Sequence, residues 1–181
     1  MRTPPERAMR APTDEGGGSS PAPAGSHTPE ARLAALDITL PPAPKPVASY
    51  VPWATSGNLL FVSGQIPVEN GIPAFKGLVG RDVTVAQGAE AARLCAVNAL
   101  AVVKAALGSL DRVRRVVRVG VFVACGSDFD QHPKVANGAS DLFVEVFGEA
   151  GRHARAAVGC PSLPLGVPVE VELIVETAPS A

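Results

Sequence analysis

The chain has 181 residues, enough for one domain or one domain with a tail, and 16 Lys+Arg against 17 Asp+Glu leave a formal charge of −1. That balance supplies none of the basic excess expected of a nucleic-acid binder. Hydrophobic residues make up 46% and aromatic residues 4%, so a core must be built from Val, Ala and Leu, and no apolar run approaches the ~20 residues of a membrane helix.

Ten of the 18 prolines lie in the first 46 residues. Residues 1–27 cannot bury enough apolar surface to offset the entropy of ordering, and are expected to form a disordered Pro/Gly-rich leader. They contain arginines but no apolar stretch of ~7–15 residues, so a secretory signal is not expected. The segment 28–46 is expected to be a short helix and an arm. Thr28-Pro29 is an N-cap followed by proline at the first helical position, which predicts a helix ending near Asp37. Pro41, Pro42, Pro44 and Pro46 then force extended chain.

A folded domain is expected over 47–178. Ser49 to Trp53 reads as a strand, with a turn at Ser56-Gly57-Asn58. Leu59 to Ser63 is a short apolar strand, and 66–80 a loop with at most a short strand. Thr84 caps a long helix reaching about Leu107, with Gly108 as its stop. Val113 to Cys125 is the clearest strand: Val117, Val119, Val121, Val123 and Cys125 share one face, and Arg118, Gly120, Phe122 and Ala124 the other. A second helix runs from Phe129 or Pro133 to Phe147 and stops at Gly148. Strands over His153–Cys160 and Val167–Glu176 complete the sheet, with Glu170, Glu172, Ile174 and Glu176 turned away from the helices.

This order predicts a two-layer α+β domain of split βαβ, ferredoxin-like character, both helices on one face of a mixed sheet. The reverse face mixes Phe122 and Ile174 with small residues and charges, which suits a subunit interface in a homo-oligomer.

No phosphate-binding glycine loop, zinc-protease helix or nucleophile elbow is present. Cys95, Cys125 and Cys160 include no C-x-x-C pair, and His27, His132 and His153 no pair at helical spacing, so neither a disulfide framework nor a metal site is expected. That usage fits a reducing, cytoplasmic setting. Cys95 and Cys125 read as small hydrophobes, Cys160 as unactivated and His153 as an exposed loop residue.

The informative residues are polar ones in apolar strands. Arg155, in HARAAVGC, carries a fork suited to bidentate binding of a carboxylate, or else an ion pair. Glu170 and Glu172 either belong to a solvated or interface-paired face or supply a general base for a water. Tyr50 is the one tyrosine, either a core residue with a satisfied hydroxyl or a site residue. Ser63, Gly64 and Gln65 close a strand where a hydroxyl and free N–H groups can orient a ligand. Gly64, Gly120 and Gly159 suit close backbone approach.

The run LLFVSGQIP at 59–67, with Arg155, Ser162-Leu163-Pro164 and Val169-Glu170-Val171-Glu172, resembles in order and spacing the signatures of the RidA/YjgF family of enamine/imine deaminases. The resemblance covers about residues 47–177. Asn137 to Asp141, Gly148 to Arg155, the helix at 28–37 and the proline arm are similar to a longer-chain subgroup. The resemblance implies a chorismate-mutase-like protomer and a homotrimer with a central barrel and clefts between subunits. It implies Arg155 as the carboxylate anchor, Glu170 as the acid that positions or activates water, Tyr50 and Ser63 as cleft residues, Gly64 as a backbone contact and Asn137 as a neighbour of the site. The segment from Asn137 to Arg155 is one residue longer than the family pattern. Ala157, on the strand face of Arg155, stands where many members have cysteine.

The reaction so implied is hydrolysis of a 2-imino acid, formed from its enamine, to a 2-keto acid and ammonia. It needs no metal or organic cofactor, nucleic acid or membrane. The rival expectations are a carboxylate-binding trimer without turnover, such as a metabolite sensor or a biosynthetic accessory protein, and an endoribonuclease, the family's older label, which the charge of −1 opposes.

Overall fold

The computed structural model of the protein describes residues 28–43 and 49–179; the expectations for the leader and for the end of the proline arm lie outside them. The Thr28 hydroxyl accepts a bond from the Ala31 N–H (3.1 Å), and helix α1 runs Pro29–Ala35. A turn follows, with Asp37 at a left-handed φ of 56°.

Four short strands come next: β1 Trp53–Ser56, β2 Leu59–Gln65, β3 Val68–Glu69 and β4 Ile72–Pro73. Helix α2 spans Val85–Leu107, as its punctuation predicts. The Thr84 hydroxyl accepts from the Gln87 N–H (3.2 Å) while the Gln87 side chain accepts from the Thr84 N–H (3.0 Å), a reciprocal cap that satisfies two orphan donors. Gly108 ends it at φ 80°. Strand β5 is Val113–Ala124, α3 His132–Phe147, β6 Ala154–Cys160 and β7 Val169–Thr177.

The main sheet has the order β1-β2-β7-β5-β6. All neighbours are antiparallel except the parallel pair β5–β6. One face carries the core: Val119, Val121 and Val123 of β5, and Val169, Val171, Leu173 and Val175 of β7, pack with α2 and α3. The α+β class, the mixed sheet and the one-sided helices are therefore as expected. No helix among the described residues is long and apolar enough to cross a membrane.

Three details differ, each because a partner strand decides. The first strand begins at Trp53, not Ser49: a tight turn at Gly57-Asn58 sets Ser56 opposite Leu59, so pairing starts at the turn and ends where Pro52 lacks an N–H. Within 66–80, β3 and β4 form a hairpin around Asn70-Gly71, both at positive φ (52° and 79°), a tight turn suited to strand twist. In β5 an irregularity against β7 between Val116 and Arg118 turns Val116 into the core, so Val117 does not head the buried row.

Helices α2 and α3 touch at backbone distance. A Cβ on Gly138 of α3 would collide with the Ala89 carbonyl of α2, and Gly88 faces Val135 in return. Gly138→Ala is therefore expected to destabilise the fold by about 1–3 kcal/mol through overpacking, outweighing the roughly 1 kcal/mol that alanine gains over glycine in a helix. Urea denaturation checks this; a midpoint equal to or above wild type contradicts it.

Candidate functional site

The polar residues fall into two groups, and strand register explains why. Arg155 lies opposite Val119, and Ala157 opposite Val121, so both stand on the helix side of the edge strand β6. Arg155 Nη1 donates to Asn137 Oδ1 (2.9 Å) and Ser140 Oγ (3.0 Å). Nη2 makes a longer 3.4 Å bond to the Pro133 carbonyl. Asn137 and Ser140 are three apart on α3 and so share a face. Among the described residues Arg155 has no acidic partner. Apart from the long Pro133 contact, its Nε–Nη2 edge is uncommitted, and that edge can take both oxygens of a carboxylate.

The second group lies on the reverse face. Register between β2 and β7 shifts between Val62 and Gln65, and the buried Gln65 amide steadies the irregular turn by donating to the carbonyls of Ser63 (2.9 Å) and Gly64 (3.2 Å). The Ser63 hydroxyl donates to the Val51 carbonyl (2.7 Å), holding the Tyr50 segment against the sheet. Tyr50 is 53% exposed and is not a core residue. A groove of about 520 Å³ runs here between Tyr50, Trp53, Phe61, Ser63, Glu172 and Ile174.

Glu170 and Glu172 cross missing side chains. The Glu170 carboxylate occupies the space a Cβ on Gly64 would need, and Glu172 that of a Cβ on Gly120. Glu172 accepts from Arg118 Nη1 (2.6 Å), an ion pair within the chain between β7 and β5. Glu170 has no hydrogen-bond partner among the described residues. Burial, and next the charge of Glu172, push its carboxyl up from the usual range.

Within one chain the two groups do not meet. Glu170 is opposite Phe122 and Arg155 opposite Val119, so they are two strands and three residues apart, about 14 Å by strand spacing and rise, and on opposite faces.

The contacts of His153 and Ser140 escaped the sequence reading. His153 lies in the loop before β6, as expected, but is half-buried rather than exposed: its Nδ1 lies 2.6 Å from the Gly151 carbonyl and its Nε2 3.0 Å from Ser140 Oγ. Ser140 therefore bridges Arg155 and His153. Its spacing from Asn137 was the available signal. Cys125 is buried and its Sγ lies 3.4 Å from His132 Nε2, while Gly159 leaves room for that contact. Burial pushes the thiols of Cys125 and Cys160 upward, so neither is activated. No group of three metal-capable side chains occurs among the described residues.

A family model described as "YjgF/chorismate_mutase-like, putative endoribonuclease" matches residues 30–177. "Protein TCP17" of Trypanosoma cruzi is 48% identical over 147 residues, covering 81% of this chain and 92% of that protein. The crystal structure of Atu1372, a protein of unknown function from Agrobacterium tumefaciens, is similar at 54% identity and a TM-score of 0.77, over 84% of this chain and 93% of that one. A structure from Shewanella oneidensis titled "putative endoribonuclease" is similar at 39% identity and a TM-score of 0.80, over 82% and 99% of the two chains.

The raised carboxyl of Glu170 carries a stability cost with a defined sign. A carboxyl whose folded value lies above its unfolded one stabilises below the unfolded value, and that contribution is lost as pH rises through the folded value. Glu170→Gln should therefore unfold at a higher temperature than wild type at neutral pH, with the gap closing in acid. Thermal scans across pH read this; an equal gap at every pH would contradict it.

Proposed function

The chain belongs to the YjgF/chorismate mutase-like family, and from that premise we propose that it hydrolyses small 2-imino acids to 2-keto acids and ammonia, at sites completed between the subunits of a homotrimer. The observation that carries this reading is the division of the site: an arginine with an uncommitted carboxylate-binding edge on one face, and on the other a partly buried carboxylate without a partner among the described residues. A second copy brings the two together if its Glu170 face meets the Arg155 edge of the first. Exposed Phe61 and Val158, 40% and 48% accessible on the reverse face, give that contact apolar area.

In the proposed site Arg155 binds the substrate carboxylate through Nε and Nη2, while Asn137 and Ser140 hold Nη1. From the neighbouring subunit, Tyr50, Ser63 and the Gly64 backbone line the other wall. Ala157 leaves space beside Arg155, which favours a substrate side chain larger than a methyl group. Glu170 takes a proton from water as its oxygen bonds to C2 of the iminium and the C=N π pair moves to nitrogen. The resulting carbinolamine receives that proton on nitrogen. Ammonia leaves as the hydroxyl collapses to the ketone and returns its proton to Glu170, which releases it to solvent as ammonium forms. A carboxyl raised above its usual range suits a group that must take and give a proton. No step calls on a metal or organic cofactor.

Imine generated in situ by an amino-acid oxidase, with ammonia release followed, tests the reading. Arg155→Ala should raise KM about 100-fold, the loss of a charge-assisted bidentate contact, and Glu170→Gln should lower kcat about 100-fold. Mixing the two inactive variants after dissociation should restore roughly a quarter of wild-type activity, because about one site in four then combines an intact Arg155 with an intact Glu170 from its neighbour. No acceleration by wild type over any amino acid overturns the deaminase reading; no recovery on mixing overturns the shared site.

A further inference from the structure

The hydrogen-bond chain behind Arg155 has a direction, and its last member is a titratable group outside the residues given a role above. The Gly151 carbonyl can only accept, so at 2.6 Å it places the proton of His153 on Nδ1. In the neutral ring Nε2 is then bare and must accept, so the Ser140 hydroxyl donates its proton to it across 3.0 Å. With that proton spent, Ser140 Oγ presents lone pairs to Arg155 Nη1, 3.0 Å away. Burial, and then the Arg155 charge, hold the His153 imidazole below its ordinary value and so keep it neutral, with only the Gly151 bond acting the other way. The ring is also wedged edge-on against Phe143, centroids 5.9 Å apart.

We infer that His153 is a positioning residue: through Ser140 it fixes the rotamer of Arg155 that leaves the Nε–Nη2 edge free for a substrate carboxylate. This rests on the reading of Arg155 as the carboxylate anchor. Protonation of His153 turns Nε2 into a donor. Ser140 can then no longer give its proton to the ring, and an imidazolium stands beside a guanidinium in a partly buried pocket. Arg155 is the charged group facing the ring; α3 presents Ser140 and Phe143 to it, the turn before β6 presents the Gly151 carbonyl, and Glu149 and Arg152 pair with each other at 3.1 Å. Substrate affinity thus falls as pH drops through the depressed value of His153.

The test uses the full chain and pyruvate, a carboxylate that stays ionised throughout the range, as the probe of binding. His153→Ala should weaken pyruvate binding about tenfold with kcat on imine nearly unchanged. His153→Gln, whose amide oxygen can accept from Ser140, should recover most of the loss. Wild-type affinity should fall in acid, and that of His153→Gln should not. Nitrogen NMR of His153 should show the Nδ1–H form, and Ser140→Ala should raise its pKa by removing the donor to the neutral ring. Wild-type affinity in His153→Ala, or tighter wild-type binding in acid, overturns the relay even where Arg155→Ala abolishes binding. Unchanged pyruvate binding in Arg155→Ala instead removes the anchor reading, and the relay's role with it.

Discussion

The pairing of β5 with its two neighbours is the constraint on which the rest depends. Val119 is opposite both Arg155 and Leu173, and Phe122 opposite both Val158 and Glu170. Strand alternation then leaves no freedom: whatever stands in the row of Val119 faces the helices, and whatever stands in the row of Phe122 faces away. Slipping β6 by one residue would bury Ala154 and Ala156 and turn Arg155 outward. The valine row of β5 defines the core and, in the same stroke, the side of the sheet on which each polar group stands.

Signals confined to a few residues were legible in the sequence. Thr84 with Gln87, Gly108 and Gly148 mark helix ends by local backbone chemistry, and the alternation in β5 and β7 exposes the two faces without reference to anything distant. The start of β1, the β3–β4 hairpin and the inward turn of Val116 were not legible, because each is settled by a partner strand or a turn geometry. The candidate site residues stood out as polar exceptions in apolar strands. Their separation into two groups was hidden, since it needs the strand order 7-5-6. His153 was misread for the same reason: both of its partners depend on how the turn after α3 folds back.

The reverse face carries a tension between stability and use. Two carboxylates, Glu170 and Glu172, lie two residues apart on one strand face, each over a glycine, and among the described residues Glu172 has a cation while Glu170 does not. A sheet selected for stability alone would fill Gly64 and Gly120 with side chains and replace the unpaired acid. On the proposed function, keeping such an acid in a partly buried place is the kind of local cost that accompanies sites required to move protons.

Helix α3 does two jobs with adjacent residues. Gly138 meets the α2 backbone, while Asn137 and Ser140 hold Arg155. The depth at which two helices nest thus sets the height of the acceptors above the edge strand, as a shim sets the height of a bearing. Interior substitutions far from the pocket that tilt or lift α3 will be transmitted to the guanidinium as a rigid-body displacement. On the proposed function, variation in the interior of such proteins becomes a route to altered ligand preference, reached without touching a residue in contact with the ligand.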